Sequence, residues 1–410
     1  MKRNAVYAQS GGVTAVINAS AAAVIETVRL NRGTIGALYA AHNGIIGALT
    51  EDLLDTTPLS APDVAALRHT PGGAFGSCRY KLPDPAKDDR HYRRLIEVFE
   101  AHQVGYFFYN GGNDSMDTAL KLAQYAQQAG YPLQVIGIPK TVDNDLPVTD
   151  CCPGFGSVAK YVAVSIREAT LDLAAMASTS TQVFVFEVMG RHAGWIAAAG
   201  GLAFGSPPDT PLLILFPEVP FDAERFLARV SDTVARFGYC SVVVSEGIRD
   251  AEGKFLADAG TVDAFGHRQL GGAGLQVAQL VRGRLGLKTH WAVADYLQRS
   301  ARHLASATDL DQAYALGREA VQLALAGHSG VAPVIARLAD EPYRWELASA
   351  PLAALANVER HLPADFISAD GFGISEAARR YLAPLVVGEA YPPYRDGLPH
   401  HVQVQAAPEP

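Results

Sequence analysis

Residues 135–145 read VIGIPKTVDND. Val135 to Ile138 is a short apolar run of the kind that forms a buried strand, and the polar stretch behind it crowds Lys140, Asp143 and Asp145 together. Upstream, Val104 to Tyr109 ends the same way, running into Gly111-Gly112-Asn113-Asp114-Ser115. Buried strands released into polar turns are the pattern of a parallel α/β sheet, where ligands bind beyond the carboxyl ends of the strands. Lys140 is suited to hold phosphate as a point charge. Asp143 and Asp145 lie two apart, so an extended segment presents both to one side, one to take a hydroxyl proton and the other to orient a metal or water. A polar loop using aspartate as a turn former reads identically, and the glycine turn tips the balance. Gly111 and Gly112 let backbone amides approach a ligand, and Ser115 or Asp114 is expected to cap a helix with Met116, Ala119, Leu120 and Ala123 on one face. A helix start preceded by glycines favours phosphate.

The 410 residues are 49% hydrophobic and 19% charged, enough for two domains with substantial cores. A formal net charge of −8 argues against broad binding to nucleic acid or acidic membranes, so any phosphate must meet local cations. Cys78, Cys151, Cys152 and Cys240 have no metal-ligand spacing and read as reduced thiols. Lys2 and Arg3 precede an apolar run that Gln9 and Ser10 interrupt too early for a signal peptide, and no stretch is long enough to span a bilayer. A cytoplasmic protein is expected.

Outward from the centre, Val6 to Ala8 reads as a strand, Gln9-Ser10-Gly11-Gly12 as a turn and Ala15 to Leu30 as an alanine-rich helix, one βα unit with a candidate phosphate cradle. Thr34 to Ala40 is a strand, and Asn43-Gly44 begins a loop. The glycine-rich segment Pro71 to Arg79 ends in a cation suited to lie against phosphate. A helix spans Arg90 to His102. Beyond Asp145, Cys152 to Ser157 opens a long helix to about Met176, and Gln182 to Val188 is a strand ending at Met189-Gly190-Arg191-His192-Ala193-Gly194. Arg191, beside a helix start, is placed to grip phosphate bidentately, whereas His192 reads as structural. Strands Leu212 to Phe216 and Tyr239 to Val244 flank a helix from Asp222 to Phe237, and Glu246 follows the second strand, where an acceptor fixes sugar hydroxyls. The polar run Ile248 to Gly274, containing Phe265-Gly266-His267-Arg268-Gln269, reads as an inserted hairpin or lid. A helix to Leu285, a strand from Thr289 to Ala294, Tyr296 and Arg299 at its end, and a helix from Asp309 to Leu325 follow. The tail, from Pro392-Pro393 to Ala406–Pro410, reads as loosely ordered.

Taken in order, these turns resemble the phosphofructokinase family from Gly11 to about Gly327. The resemblance rests on SGG at Ser10, GGN at Gly111, PKTVDND at Pro139, MGR at Met189 and SEG at Ser245. It implies an α/β protein with two Rossmann-like lobes, mostly parallel sheets and an active site in the cleft between them. The expected donor lobe is 1–150 plus about 296–325, the sugar-phosphate lobe 151–295 with its insertion at 248–274, and 326–410 a C-terminal segment packing across the lobes. By the same likeness Asp143 is the base that deprotonates the 1-hydroxyl of fructose 6-phosphate, with Asp145 and Arg191 as its catalytic companions. Gly11, Gly12, Arg79, Gly112, Asp114 and Lys140 face the phosphoryl donor. Thr141, Val142, Asp143, Met189, Gly190, Arg191, Glu246, Tyr296 and Arg299 line the sugar phosphate.

ATP-using members carry glycine where this chain has Asp114 and Lys140, so the charged pair resembles the pyrophosphate-dependent branch. Aspartate fills and repels the space of a nucleotide's α-phosphate, while lysine binds a compact diphosphate. The resemblance implies Mg2+ as cofactor and reversible formation of fructose 1,6-bisphosphate and phosphate. Asn113 stands where many relatives have a magnesium-associated aspartate and is taken as a metal contact. Gln182 falls where several ATP-dependent relatives have an arginine reaching into a neighbouring subunit's site, with Lys288 or His290 as replacements. Family habit implies a homodimer or homotetramer. Open alternatives are an ATP-dependent enzyme, a pyrophosphate-dependent kinase preferring sedoheptulose 7-phosphate, and a sensor without turnover.

Overall fold

The computed structural model describes residues 2–205, 210–262 and 268–404. Its principal strands are β1 Arg3–Gln9, β2 Ile35–Ala41, β3 Leu53–Asp55, β4 Val104–Gly111, β5 Gln134–Pro139, β6 Val183–Val188, β7 Leu212–Leu215, β8 Cys240–Ser245, β9 Asp258–Val262, β10 Arg268–Leu270, β11 Thr289–Val293, β12 Val331–Asp340 and β13 Tyr343–Pro351. The chain divides into two compact units, the first taking in Met1–Gly154, Ser300–Glu359 and Gly388–Pro410, the second Phe155–Arg299 and Arg360–Val387.

The first unit carries a sheet ordered β13-β12-β5-β4-β1-β2-β3, parallel from β12 to β2 and antiparallel at both edges. The central strands are near-continuous apolar runs, as a sheet covered on both faces requires. Val6, Phe107, Phe108, Val135 and Ile136 are fully buried, each stabilising the fold by about 1.5–3 kcal/mol. The alanine-rich helix Ile17–Leu30 lies along helix Ala307–Leu325, and its small residues are what let the two axes close. Ser20 donates its hydroxyl to Ala313 O at 2.8 Å across that seam.

The second unit is built on an all-parallel sheet, β11-β6-β8-β7, covered by helices Phe155–Met176, Ala223–Phe237 and Ala273–Leu285. Helix Ala223–Phe237 begins where Asp222 accepts from Arg225 N at 3.1 Å and ends at Gly238 in the left-handed conformation. No helix among the described residues is long and apolar enough to cross a membrane.

Several expectations are corrected. Asn43-Gly44 opens a helix, Ile45–Thr50, rather than a loop. Neither Ser115 nor Asp114 caps the helix Asn113–Gln128, whose N-cap is Gly112 without a side-chain bond. Its buried face runs through Met116, Ala119, Leu122 and Ala126, with Leu120 and Ala123 only partly covered. Beyond residue 326 the chain adds β12 and β13 to the first sheet before Arg360–Val387 joins the second unit. Within 248–274 the antiparallel pairing of β9 and β10 agrees with the expected hairpin, and only the boundary changes, since Gly274 already belongs to helix Ala273–Leu285. Phe265-Gly266-His267 and the run Ala406 to Pro410 lie outside the described residues.

Candidate active site

In the first unit the turns after β1, β4 and β5 leave the sheet side by side, because those strands are parallel neighbours in register, Gln9 against Asn110 and Gly111 against Pro139. The ladder continues into the turns. Ser10 N donates to Asn110 O at 2.9 Å, Lys140 N to Gly111 O at 3.0 Å, and Gly11 N to Cys78 O at 2.9 Å, which draws the loop ending at Arg79 into the same place. Gly11 sits at φ +73°, a conformation that favours glycine. Lys140 is 3% exposed and its Nζ donates to Ser10 O at 2.7 Å and Gly12 O at 2.6 Å. A buried ammonium is tolerable only when so paired, and here the carbonyl dipoles fix the cation against the glycine turn. Gly11, Gly12, Arg79, Gly112, Lys140 and Thr141 are thus held as one constellation.

Asp114 stands in the first turn of helix Asn113–Gln128 and accepts from Lys81 Nζ at 2.9 Å, which raises the Lys81 pKa. Asn113 is turned elsewhere. Its Oδ1 accepts from Asn357 N at 2.6 Å and its Nδ2 donates to Val358 O at 2.5 Å, so both polar atoms of the amide are engaged. The structure thereby gives Asn113 a tethering part.

The segment Thr141–Asp145 is a turn, not the extended piece expected, because Asn144 adopts φ 54° with its Oδ1 accepting from Cys152 N at 2.9 Å. Asp143 N donates to Thr141 Oγ1 at 3.1 Å, and Val142 lies half-buried between them. The two carboxylates nevertheless sense each other. Burial first, then the charges of Asp143 and Glu359, push the Asp145 carboxyl up to about 7, against the pull of its own backbone amide and the Thr141 hydroxyl. Asp145 Oδ1 is buried without a hydrogen-bond partner.

In the second unit the adjacent parallel strands β11, β6 and β8 likewise deliver their turns together. Glu246 N donates to Val188 O at 2.9 Å, Met189 N to Gln298 Oε1 at 3.2 Å, and Ser245 Oγ to Gly190 O. Gly247 packs so closely on this turn that a Cβ would come 2.0 Å from Arg191 O. The Arg191 Nε is buried without a hydrogen-bond partner. Tyr296 and Arg299 lie on helix Asp295–Ser300 beyond β11, with the guanidinium 4.0 Å from the ring centroid. Buried Gln298 on the same helix ties them to Met189.

Two carboxylates, buried Glu187 and half-buried Glu218, brace this region. Glu187 accepts from Gly272 N at 3.0 Å and Gly274 N at 2.8 Å. Through a single oxygen, Oε1, Glu218 accepts from Gly194 N at 2.8 Å and Leu362 N at 3.0 Å, fixing the end of the Met189–Gly194 turn, and burial raises the pKa of both carboxyls. Lys288, a proposed replacement at Gln182, donates its Nζ to Ser180 Oγ at 3.0 Å.

A family model described as phosphofructokinase matches residues 4–324. The chain belongs to the phosphofructokinase family. Among its relatives, the pyrophosphate–fructose 6-phosphate 1-phosphotransferase of Methylococcus capsulatus is 64% identical over 400 residues, 98% of this chain and 95% of the relative. The protein of the same name from Halomonas elongata is 62% identical over 398 residues, 97% of this chain and 95% of its own. The crystal structure of a pyrophosphate-dependent phosphofructokinase from Nitrosospira multiformis superposes with a TM-score of 0.92 at 58% identity, covering 100% of this chain and 98% of that one. Lys81, Glu187, Glu218, Gln298 and Glu359 are the phosphofructokinase residues that sequence reasoning missed; only Gln298, inside the Tyr296–Arg299 run, lay next to a residue it had marked.

Proposed function

We propose that this phosphofructokinase transfers a phosphoryl group from inorganic pyrophosphate to the 1-hydroxyl of fructose 6-phosphate, reversibly giving fructose 1,6-bisphosphate and phosphate. The observation that carries the reading is the charged lining of the donor turns: Lys140 buried on the Gly11 turn, and Asp114 held by Lys81 at the helix start. An aspartate in the space of a nucleotide's α-phosphate opposes a nucleotide, while the lysine suits a compact diphosphate. The names carried by relatives at 62–64% identity point the same way.

In this reading Gly11, Gly12, Arg79, Gly112 and Lys140 hold the diphosphate. Arg191, with Met189, Gly190, Glu246, Tyr296 and Arg299, holds the sugar phosphate, and Thr141 and Val142 flank the reacting hydroxyl. Asp143 takes the hydroxyl proton as the sugar oxygen bonds to the terminal phosphorus. The bridging P–O bond breaks and inorganic phosphate leaves with the electron pair. The Arg191 guanidinium opposes charge gathering on the transferred group, since phosphoryl transfer depends on positioning and electrostatics.

Members of the family generally use a divalent metal. Among the described residues no group of three or more His, Cys, Asp or Glu side chains could hold one, so the cation, Mg2+ in our reading, comes with the diphosphate oxygens. Asp145 fits it: a half-buried carboxylate whose Oδ1 is buried and unpartnered, pressed by neighbouring negative charge. When bound, the cation neutralises and aligns the diphosphate. A cytoplasmic location and assembly as a homodimer or homotetramer belong to the same reading, the latter open to light scattering.

The test is turnover of fructose 6-phosphate with Mg2+, pyrophosphate against ATP as donor in one preparation, and sedoheptulose 7-phosphate as competing acceptor. Turnover with pyrophosphate alone is expected. Equal use of ATP defeats the donor assignment, and preference for sedoheptulose 7-phosphate defeats the acceptor.

A further inference from the structure

The turn Ser10-Gly11-Gly12 is pinned by its carbonyls. Lys140 Nζ donates to Ser10 O at 2.7 Å and to Gly12 O at 2.6 Å, and between them Ser77 Oγ donates to Gly11 O at 2.7 Å. The amide side differs. Gly11 N donates to Cys78 O at 2.9 Å, whereas Gly12 N, on a partly exposed residue, donates to no group among the described residues. A peptide unit is planar and trans, so its C=O and N–H point in opposite directions. By holding Gly11 O, Ser77 therefore turns the Gly12 N–H away from itself. Two glycines in succession, with Gly11 at φ +73°, impose little preference of their own on that plane, so its orientation depends on what grips the carbonyl. Ser77 is delivered there by a braced segment. Asn18, 1% exposed near the start of helix Ile17–Leu30, commits its whole amide to the task. Its Nδ2 donates to Thr70 O at 2.8 Å and Gly72 O at 3.0 Å, and its Oδ1 accepts from Ala74 N and Gln9 Nε2, both at 3.0 Å. Asn43 N donates to Phe75 O at 2.9 Å, two residues before Ser77.

We propose that Ser77 is a positioning residue for the phosphoryl donor: its hydroxyl sets the Gly11–Gly12 peptide so that the Gly12 amide points at a diphosphate oxygen. The inference rests on the pyrophosphate reading above and deepens it, assigning the aim of one amide to one hydroxyl. Successive turn amides make a concave site for anions, and an amide aimed in advance need not be ordered when the anion arrives. The benefit therefore falls on the donor's affinity. The sugar-phosphate residues Met189, Gly190, Arg191, Glu246, Tyr296 and Arg299 belong to the second unit and take no part in these bonds.

The experiment measures, for the full chain with Mg2+, the KM for pyrophosphate and for fructose 6-phosphate, together with calorimetric binding of methylenediphosphonate, a diphosphate that cannot be transferred. Ser77→Ala removes one hydroxyl from a half-buried position and leaves the core untouched. Loss of one neutral hydrogen bond predicts a rise of about three- to tenfold in the KM for pyrophosphate, with methylenediphosphonate weakened by the same factor. The KM for fructose 6-phosphate is expected to stay within about twofold, because only donor binding is disturbed. The same substitution made in an Arg79→Ala background separates the Gly12 amide from the neighbouring cation: an equal factor is expected there, as for independent contributions. An unchanged pyrophosphate KM in Ser77→Ala, an equal rise in both KM values, or an effect that vanishes in the Arg79→Ala background overturns the inference alone. A wild type that turns over fructose 6-phosphate with ATP and not with pyrophosphate overturns the functional reading and the inference with it.

Discussion

Replacing Asp114 and Lys140 by glycine, singly and together, separates two tasks that the donor turns combine. A carboxylate 4 Å from a phosphate oxygen repels it by about 4 kcal/mol at an effective dielectric of 20. Lys81, 2.9 Å from Asp114 Oδ1, cancels much of that field, and about 1–2 kcal/mol of discrimination against a nucleotide remains. Asp114→Gly is therefore expected to raise the ratio of kcat/KM for ATP to that for pyrophosphate by about five- to thirtyfold. The lost ion pair itself is minor for stability, about 0.2–1 kcal/mol for side chains 44% and 29% exposed. Lys140→Gly acts differently, stripping donors from Ser10 O and Gly12 O, each bond to a charged group being worth about 1.5–3 kcal/mol. It should lower kcat/KM for pyrophosphate by about two to three decades and lower the urea midpoint as well. The assay is initial rate against each donor at saturating fructose 6-phosphate, with urea unfolding of each variant alongside. A donor ratio unchanged within twofold in Asp114→Gly refutes the gate.

Three further outcomes are expected. Asp143→Asn should lower kcat by roughly two to four decades with the acceptor still bound, and near-normal turnover would dismiss it as the base. Arg191→Ala should raise KM for fructose 6-phosphate; an effect confined to the KM for pyrophosphate means the guanidinium serves the donor instead. Glu218 carries a pKa raised by burial, so the folded protein holds a proton that the unfolded chain has released, and stability falls as pH rises from the ordinary glutamate range through the folded value. Both of its bonds use Oε1, which glutamine retains, so Glu218→Gln should flatten the pH dependence of the urea midpoint between pH 4 and 8 relative to wild type. A variant whose midpoint falls with pH as steeply as the wild type's removes Glu218 as the source of that slope.

What could be read from the sequence was whatever is local. The apolar run Val104 to Tyr109 and the glycines behind it declare a strand and its turn within a dozen residues, and β4 occupies Val104–Gly111. Asp143 and Asp145 were visible as a pair, but their turn was not, because it depends on Cys152 N reaching back to Asn144. The helix Ile45–Thr50 went unread because Asn43-Gly44 reads as the start of a loop; within the helix Gly47 is needed because a Cβ would fall 1.9 Å from His42 O. Lys81 finds Asp114 across 33 positions and Asn113 finds Val358 across 245, separations over which no periodicity or spacing carries information. Tyr343–Pro351 alternates between exposed and half-covered positions for most of its length, as an edge strand does, and offers no apolar run to announce that it closes the first sheet.

That closing strand sets the order in which the protein can be finished. Ser10, Asp114 and Lys140 leave the ribosome early, yet β5 acquires its neighbour β12 only from residue 331 onward, and Asn113 its partners only at 357–358. Chains generally fold domain by domain from the N-terminus as they emerge. Here the second unit's parallel strands are all synthesised before the first unit's sheet can be completed. The nascent donor turns therefore wait beside an open sheet edge, the condition in which a growing chain is most exposed to pairing with the wrong strand.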